Sequence, residues 1–257
     1  MKLISSRDNP TVKTLHRLLD QAGRRGAPLL LEGVHLCEAW LQRHGLPEQA
    51  VFDYERLDRP ELAHLAREVS EARCIALESR LMRGLASVES DQGVAFVVRA
   101  PQLSLPERVG TNCVLLDRIQ DPGNVGTLLR TCAAAGIRQA FLATGTAAAW
   151  SPKVLRSGQG AHFAMDIHEH VDLHALSARL DVPLAVTTLD DAISLYDTAL
   201  PASLAWVFGH EGQGVDPALQ AQAALRLRIP HDMQAVESLN VGAAAAICLF
   251  EQRRQRI

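Results

Sequence analysis

Ile229-Pro230-His231-Asp232-Met233-Gln234-Ala235-Val236-Glu237-Ser238-Leu239-Asn240-Val241-Gly242, followed by Ala243 to Ala246, is the stretch whose reading decides the fold. An apolar run ends at Ile229, a polar loop follows, and a helix of small residues begins near Ser238. Such a junction leaves backbone N–H groups free and lets a ligand approach closely. Two stretches upstream are built alike. Asp121-Pro122-Gly123-Asn124-Val125-Gly126-Thr127-Leu128-Leu129-Arg130-Thr131 opens a helix, and Val207-Phe208-Gly209-His210-Glu211-Gly212-Gln213-Gly214-Val215 leaves a strand.

Working outward, apolar runs alternate with helical periods. Beyond residue 111, strands are predicted at Cys113–Leu116, Gln139–Ala143, Ala164–Ile167, Pro183–Thr188, Leu204–Phe208 and Leu225–Ile229. Helices are predicted near 124–135, 152–158, 172–180, 216–223 and 238–255. The apolar runs suit a parallel sheet covered on both faces. Upstream, Asn9-Pro10 marks a helix start, with Val12, Leu15, Leu18 and Leu19 at helical spacing. Leu29–Leu31, Ala50–Tyr54, Cys74–Leu77 and Gly93–Arg99 read as strands, and Pro60–Ser70 as a helix, giving a first α/β domain. Ala100 to Thr111 has two prolines and no period, as a linker does. The expected division is residues 1–100, a linker at 101–111, and residues 112–257.

N-x-G-x-x-x-R, F-G-x-E-x-x-G and S-L-N-V, in this order and each at a strand end, resemble the three motifs of the SpoU family of the SPOUT superfamily. The resemblance implies S-adenosylmethionine-dependent methyl transfer to a ribose 2′-hydroxyl of RNA. It also implies a homodimer and a C-terminal domain in which the last segment passes through a preceding loop as a deep trefoil knot. Periodicity could not reveal such a knot, since connection rules disfavour it. The third motif departs from the family form: Ile229 to Leu239 is one residue longer, carries His231, Asp232 and Gln234, and lacks Gly. More loosely, ISSRDNPTVKTLHRLL and LLLEGVHLCEAWL resemble the small ribosomal-protein-like substrate-binding domain that precedes the catalytic domain in many rRNA-modifying members.

By resemblance, Gly209, Ile229 and Leu239 hold S-adenosylmethionine, with Thr188 as a fourth contact. Arg130 matches the family's catalytic arginine. Guanidinium is effectively never deprotonated, so gripping the target phosphate and stabilising a developing alkoxide suits it better than acting as base. Glu211 is the acid nearest the cofactor strand, and could act as base, as orienter of Arg130 or Asn124, or as counter-charge to the sulfonium. Ser238 and Asn240 begin the last helix, where either could cap it; the family reading adds hydrogen bonds across the active site. Arg130, Asn124, Glu211, Ser238 and Asn240 are thus the candidate catalytic set.

The whole chain of 257 residues carries a net charge of −3, which by itself gives no sign of nucleic-acid binding. Residues 1–27 are locally basic: Lys2, Arg7, Lys13, Arg17, Arg24 and Arg25 face only Asp8 and Asp20. Phosphate neutralisation needs such a face. Lys13, Arg17, Arg24 and Arg25 are therefore candidate RNA contacts, joined by Lys153 and Arg156, whose segment resembles one that faces RNA in the family. Five dispersed cysteines without a C-x-x-C pair predict a reducing, cytoplasmic setting without disulfides. H-E-x-x-H spacing is absent and His170 and His174 form a lone H-x-x-x-H pair, so no metal is expected. The longest apolar run, Val241 to Phe250, is too short to span a bilayer.

Large-subunit ribosomal RNA is the expected substrate, with transfer RNA as the alternative. A catalytically silent RNA-binding or ribosome-assembly factor is a second alternative, opposed by the intact candidate set. A nicotinamide-dependent enzyme fails, because D-P-G-N-V-G is not G-x-G-x-x-G and no ribose-binding acid follows at the required distance.

Overall fold

Asn9 caps the first helix as its place before Pro10 predicts, its side chain accepting from Thr11 N. A computed structural model describes residues 1–24, 26–85 and 92–257. The chain divides into two compact units: Met1–Gln102 with Trp150–Leu155, and Leu103–Ala149 with Arg156–Ile257.

The first unit runs β1 (Lys2–Ile4), α1 (Pro10–Asp20), β2 (Pro28–Glu32), α2 (Val34–His44), β3 (Gln49–Asp53), α3 (Pro60–Glu68), β4 (Cys74–Leu77), α4 (Ser79–Arg83) and β5 (Val94–Arg99). Its sheet has the order β1-β4-β3-β5-β2. β5 is antiparallel to both neighbours, whereas β3 and β1 run parallel to β4. Val12, Leu15 and Leu18 of α1 are buried against Leu30, Val51, Ile75 and Val97 of the sheet. Each such apolar side chain is worth about 1.5–3 kcal/mol when fully buried. β1 and α4 were not legible in the sequence, being too short to show a period.

The chain continues with β6 (Cys113–Asp117), α5 (Pro122–Ala135), β7 (Gln139–Ala143), α6 (Pro152–Gly158), β8 (Asp166–Val171), α7 (Leu173–Ser177), β9 (Leu184–Thr187), β10 (Ile193–Ser194), β11 (Ala205–Gly209), α8 (Pro217–Gln222), β12 (Leu225–Arg228) and α9 (Val241–Arg254), all in the second unit except the start of α6, through Leu155, which belongs to the first. The seven strands of the second unit lie in the order β10-β12-β9-β11-β6-β7-β8, with every pairing parallel. β8 begins at Asp166 rather than at Ala164, because Ala161–Ala164 closes a 3-10 turn after Gly160 in a left-handed conformation. No helix among the described residues is long and apolar enough to cross a membrane.

The alanine run of α9 has a packing reason. α9 lies against α5, and a Cβ on Gly242 would stand 3.1 Å from Thr127 Cγ2, so the helices meet closely. At the other end of α9, buried Gln252 accepts from Trp206 Nε1 at 2.9 Å and donates to Pro201 O at 3.1 Å, tying the helix to the sheet.

Buried His162 shares a hydrogen bond of 2.8 Å between Nε2 and Ala149 O. Burial pushes its pKa down to about 4, against the opposing hydrogen bond to Ala149. The unfolded chain protonates this ring near 6.5, whereas the folded chain keeps it neutral. Its contribution is complete above 6.5 and shrinks as pH falls toward 4, by about 1.4 kcal/mol per pH unit. Urea unfolding of His162→Gln is expected to show a shallower loss of stability between pH 6.5 and 4 than the parent. Equal slopes would refute this role.

Candidate active site

The second sheet reverses direction of growth around β6. From β6 the chain steps outward to β7 and β8, while β11, β9 and β12 occupy its other side. Open parallel sheets bind ligands beyond the carboxyl ends of strands at such a switch. A cavity of ≈ 350 Å³ lies beyond the carboxyl ends of β9, β11 and β12, on one side of that switch. Its walls are Thr187–Asp190 after β9, Gly209–Val215 after β11, and Ile229, His231 and Glu237–Leu239 after β12.

Each wall is held by its own backbone. Gly209 faces Asp117 in the β11–β6 register, and a Cβ built on it would overlap the backbone of Gly214 and Val215. The glycine is therefore required by its own returning loop. His210 Nδ1 accepts from Gly212 N at 2.9 Å and from Gln213 N at 3.2 Å, and Gly214 N donates to His210 O at 2.8 Å. In the β9 wall, Thr188 N donates to Leu227 O at 3.0 Å, while its hydroxyl accepts from Asp190 N. The longer third loop is closed by its unusual residues. His231 places Nδ1 2.8 Å from Ile229 O and Nε2 3.4 Å from Glu237 O, spanning the loop's two ends. Asp232 turns the chain between them, accepting from Gln234 N at 3.0 Å.

Three motifs meet in one hydrogen-bonded row. Glu211 Oε1 accepts from Asp121 N at 3.1 Å and from Asn124 Nδ2 at 2.9 Å, and its Oε2 accepts from Gln120 N at 3.2 Å. Asn124 Oδ1 accepts in turn from Asn240 Nδ2 at 3.0 Å. Asn240 caps α9, its Oδ1 accepting from Gly242 N and Ala243 N, so Asn240 rather than Ser238 is the cap. Desolvation works against the charge of Glu211, yet the bonds from Asn124 and the loop backbone prevail and hold its carboxyl below the usual value. A carboxylate so engaged orients its neighbours; it is poorly disposed to take a proton near neutrality.

The remaining candidates are placed as follows. Gly209, Thr188, Ile229, Ser238, Leu239 and Glu211 line the cavity. Arg130 does not; it is exposed on α5 and, among the described residues, has no hydrogen-bonding or ion-pair partner. Lys13, Arg17 and Arg24 are exposed in the first unit, with Lys13 Nζ 3.1 Å from Asp8 Oδ1. Arg25 lies outside the described residues. On α6, Lys153 is exposed and Arg156 partly buried. Sequence reasoning missed His231 as a bridge, Asp190 and Glu237 as wall residues, and the pair Asp117–Arg118. For Asp117 a signal existed: a lone acid ending a buried apolar strand.

The sequence profile described as the SpoU rRNA Methylase family matches residues 111–250. The chain is 33% identical to the 23S rRNA (guanosine(2553)-2′-O)-methyltransferase RlmP of Bacillus subtilis, over 98% of this chain and 100% of that protein. It is also 33% identical to the 23S rRNA (guanosine-2′-O-)-methyltransferase RlmB of a Burkholderia species, over 89% of this chain and 97% of the relative. Among solved structures, an AdoMet-bound rRNA methyltransferase from Sinorhizobium meliloti superposes with a TM-score of 0.83 at 25% identity, covering 100% of this chain and 98% of that one.

Proposed function

We propose, for a chain that belongs to the SpoU rRNA methylase family, a site-by-site account of how this family's reaction is carried out here. The chain is an S-adenosylmethionine-dependent RNA ribose 2′-O-methyltransferase. Large-subunit rRNA is its substrate class, and a guanosine ribose is the proposed target by likeness to the two relatives.

The cavity suits the cofactor. Its size falls in the range of small-molecule sites, and Leu227, Ile229 and Leu239 offer apolar walls for an adenine ring. Asp190, Glu211 and Glu237 also line it, a chemistry suited to a sulfonium and an ammonium. S-adenosylmethionine, when bound, supplies an electrophilic methyl group. Gly209, Thr188, Ile229 and Leu239 hold it in this reading, while Asn124, Asn240 and Ser238 orient the polar side of the site. Arg130 grips RNA phosphate and stabilises charge on the attacking oxygen. The observation that carries the proposal is the Glu211–Asn124–Asn240 row, which joins the three motifs beside the cavity.

The finer features of architecture are also proposed. The last segment, from Ile229 onward, passes through a preceding loop as a trefoil knot; in support, the loops after β9, β11 and β12 share one cavity and α9 returns onto α5. Two copies pair as a homodimer, supported by half-exposed Phe250 on α9. A reducing cytoplasm suits five cysteines that are all free and buried.

The first unit selects RNA in this reading. Neutralising Lys13, Arg17, Arg24 and Arg25 in the full-length protein is expected to flatten the salt dependence of RNA affinity. The log–log slope should fall by about 0.7 for each phosphate that the protein no longer neutralises. Filter binding of an rRNA fragment across a salt series measures it; an unchanged slope makes the patch a solvated helix face. Mapping ribose methylation across rRNA in a deletion strain tests the function itself, and an unaltered map would defeat it.

A further inference from the structure

Arg118 follows the last residue of β6 with φ 59°, a left-handed backbone that residues other than glycine seldom adopt. This turn folds the side chain back on its own neighbour. Arg118 Nε donates to Asp117 Oδ1 at 2.8 Å and Nη2 donates to Asp117 Oδ2 at 3.0 Å, a two-pronged grip on a carboxylate that is 4% exposed. The pair then reaches the loop that walls the cavity. Arg118 Nη1 donates to Gln213 Oε1 at 3.3 Å, and Asp117 Oδ2 accepts from Asp216 N at 2.8 Å. Asp117 also stands opposite Gly209 in the strand register. The segment from Gly209 to Asp216 is thus held at its start, its middle and its end by two adjacent residues, neither of which lines the cavity.

We propose that Asp117 and Arg118 are positioning residues that fix the shape of the Gly209–Asp216 loop and thereby set affinity for S-adenosylmethionine. The inference rests on the reading of this cavity as the cofactor site. A side chain forced into a left-handed backbone and spent on its neighbour is costly as pure scaffolding, since glycine would take that turn freely. Its third contact, on the cavity loop, is what glycine could not supply.

The test uses full-length protein and titration calorimetry with S-adenosylmethionine. Arg118→Gly relieves the backbone but leaves a buried carboxylate without its counter-charge, so D117N/R118G carries the decisive measurement. In that variant Asn can still accept from Asp216 N, whereas the Gln213 tether is gone. Expected are a melting temperature equal to or above the parent's, a cofactor affinity weakened about tenfold, and a KM for the cofactor raised by the same factor. The kcat at saturating cofactor should stay within about twofold, as loss of uniform binding requires. Arg118→Lys, which keeps charge without the fork, should fall between parent and double variant. Affinity within twofold of the parent in folded D117N/R118G would overturn the proposal, as would affinity lost only where melting temperature is lost. Failure of the underlying reading looks different: parent protein and a cavity-filling Leu239→Trp variant would then bind the cofactor equally.

Discussion

Arg130→Ala is expected to leave S-adenosylmethionine affinity within about threefold of the parent while slowing single-turnover methylation of RNA at least about a hundredfold. The two effects separate because Arg130 is exposed on α5 and is no part of the cavity wall. It lies six residues, nearly two helical turns, beyond Asn124, whose amide is fixed at the cavity edge by Glu211 and Asn240. Having no hydrogen-bonding or ion-pair partner among the described residues, its guanidinium gives up no internal contact on meeting phosphate. Removing a charge that stabilises the developing alkoxide costs about 3 kcal/mol of barrier. Calorimetry gives the first quantity and rapid-quench kinetics the second. A variant retaining more than a tenth of the parental rate would remove Arg130 from the reaction.

Gly209→Ala and Gly209→Val should be nearly equal in damage, and both should lose measurable binding of S-adenosylmethionine. The reason is the first carbon alone. A Cβ at residue 209 meets the main chain of Gly214 and Val215, which has no rotamer by which to yield. The loop must move, and the hydrogen bonds of Gly212 and Gln213 to His210 and of Asp216 to Asp117 move with it. Overpacking of this kind costs about 1–3 kcal/mol, a fall of several degrees in melting temperature for a chain of this size. If the glycine instead made room only for the ligand, alanine would be tolerated far better than valine. Parental binding by Gly209→Ala would therefore sink this account.

The second domain was largely legible because its signals are local. The stretch from Asp121 reads as opening a helix near 124–135, and α5 starts slightly earlier, at Pro122, with Asp121 capping it by accepting from Asn124 N. Buried strands such as β6 and β11 read as plain apolar runs because a parallel sheet covers both faces. Two-residue β10 carried no period to read, and the 3-10 turn before β8 hid in a mixed segment. At the site, motifs located Asn124, Glu211 and Asn240 and offered Glu211 as an orienter of Asn124, but gave no sign of the bond from Asn240 to Asn124 across 116 residues. The role of His231 was illegible because the ring lies between two carbonyls of its own loop, a placement that no residue type advertises. Asp117–Arg118 escaped for a related reason: an acidic and a basic neighbour look like ordinary surface charge until a left-handed turn brings them face to face.

The order of the sheet also carries a consequence for how the protein is made. β6 is laid down early, yet its partner on the ligand side, β11, is synthesised about ninety residues later, and α9 packs against α5 later still. Every wall of the cavity belongs to the stretch after residue 186. A chain still held by the ribosome, with the segment after β11 inside the exit tunnel, possesses most of the sheet but no pocket. With S-adenosylmethionine in this cavity, as proposed, its capture would be a late event in biogenesis. It stabilises only molecules that have gained all three loops, so the metabolite acts as a ratchet on completed chains and offers nothing to truncated ones.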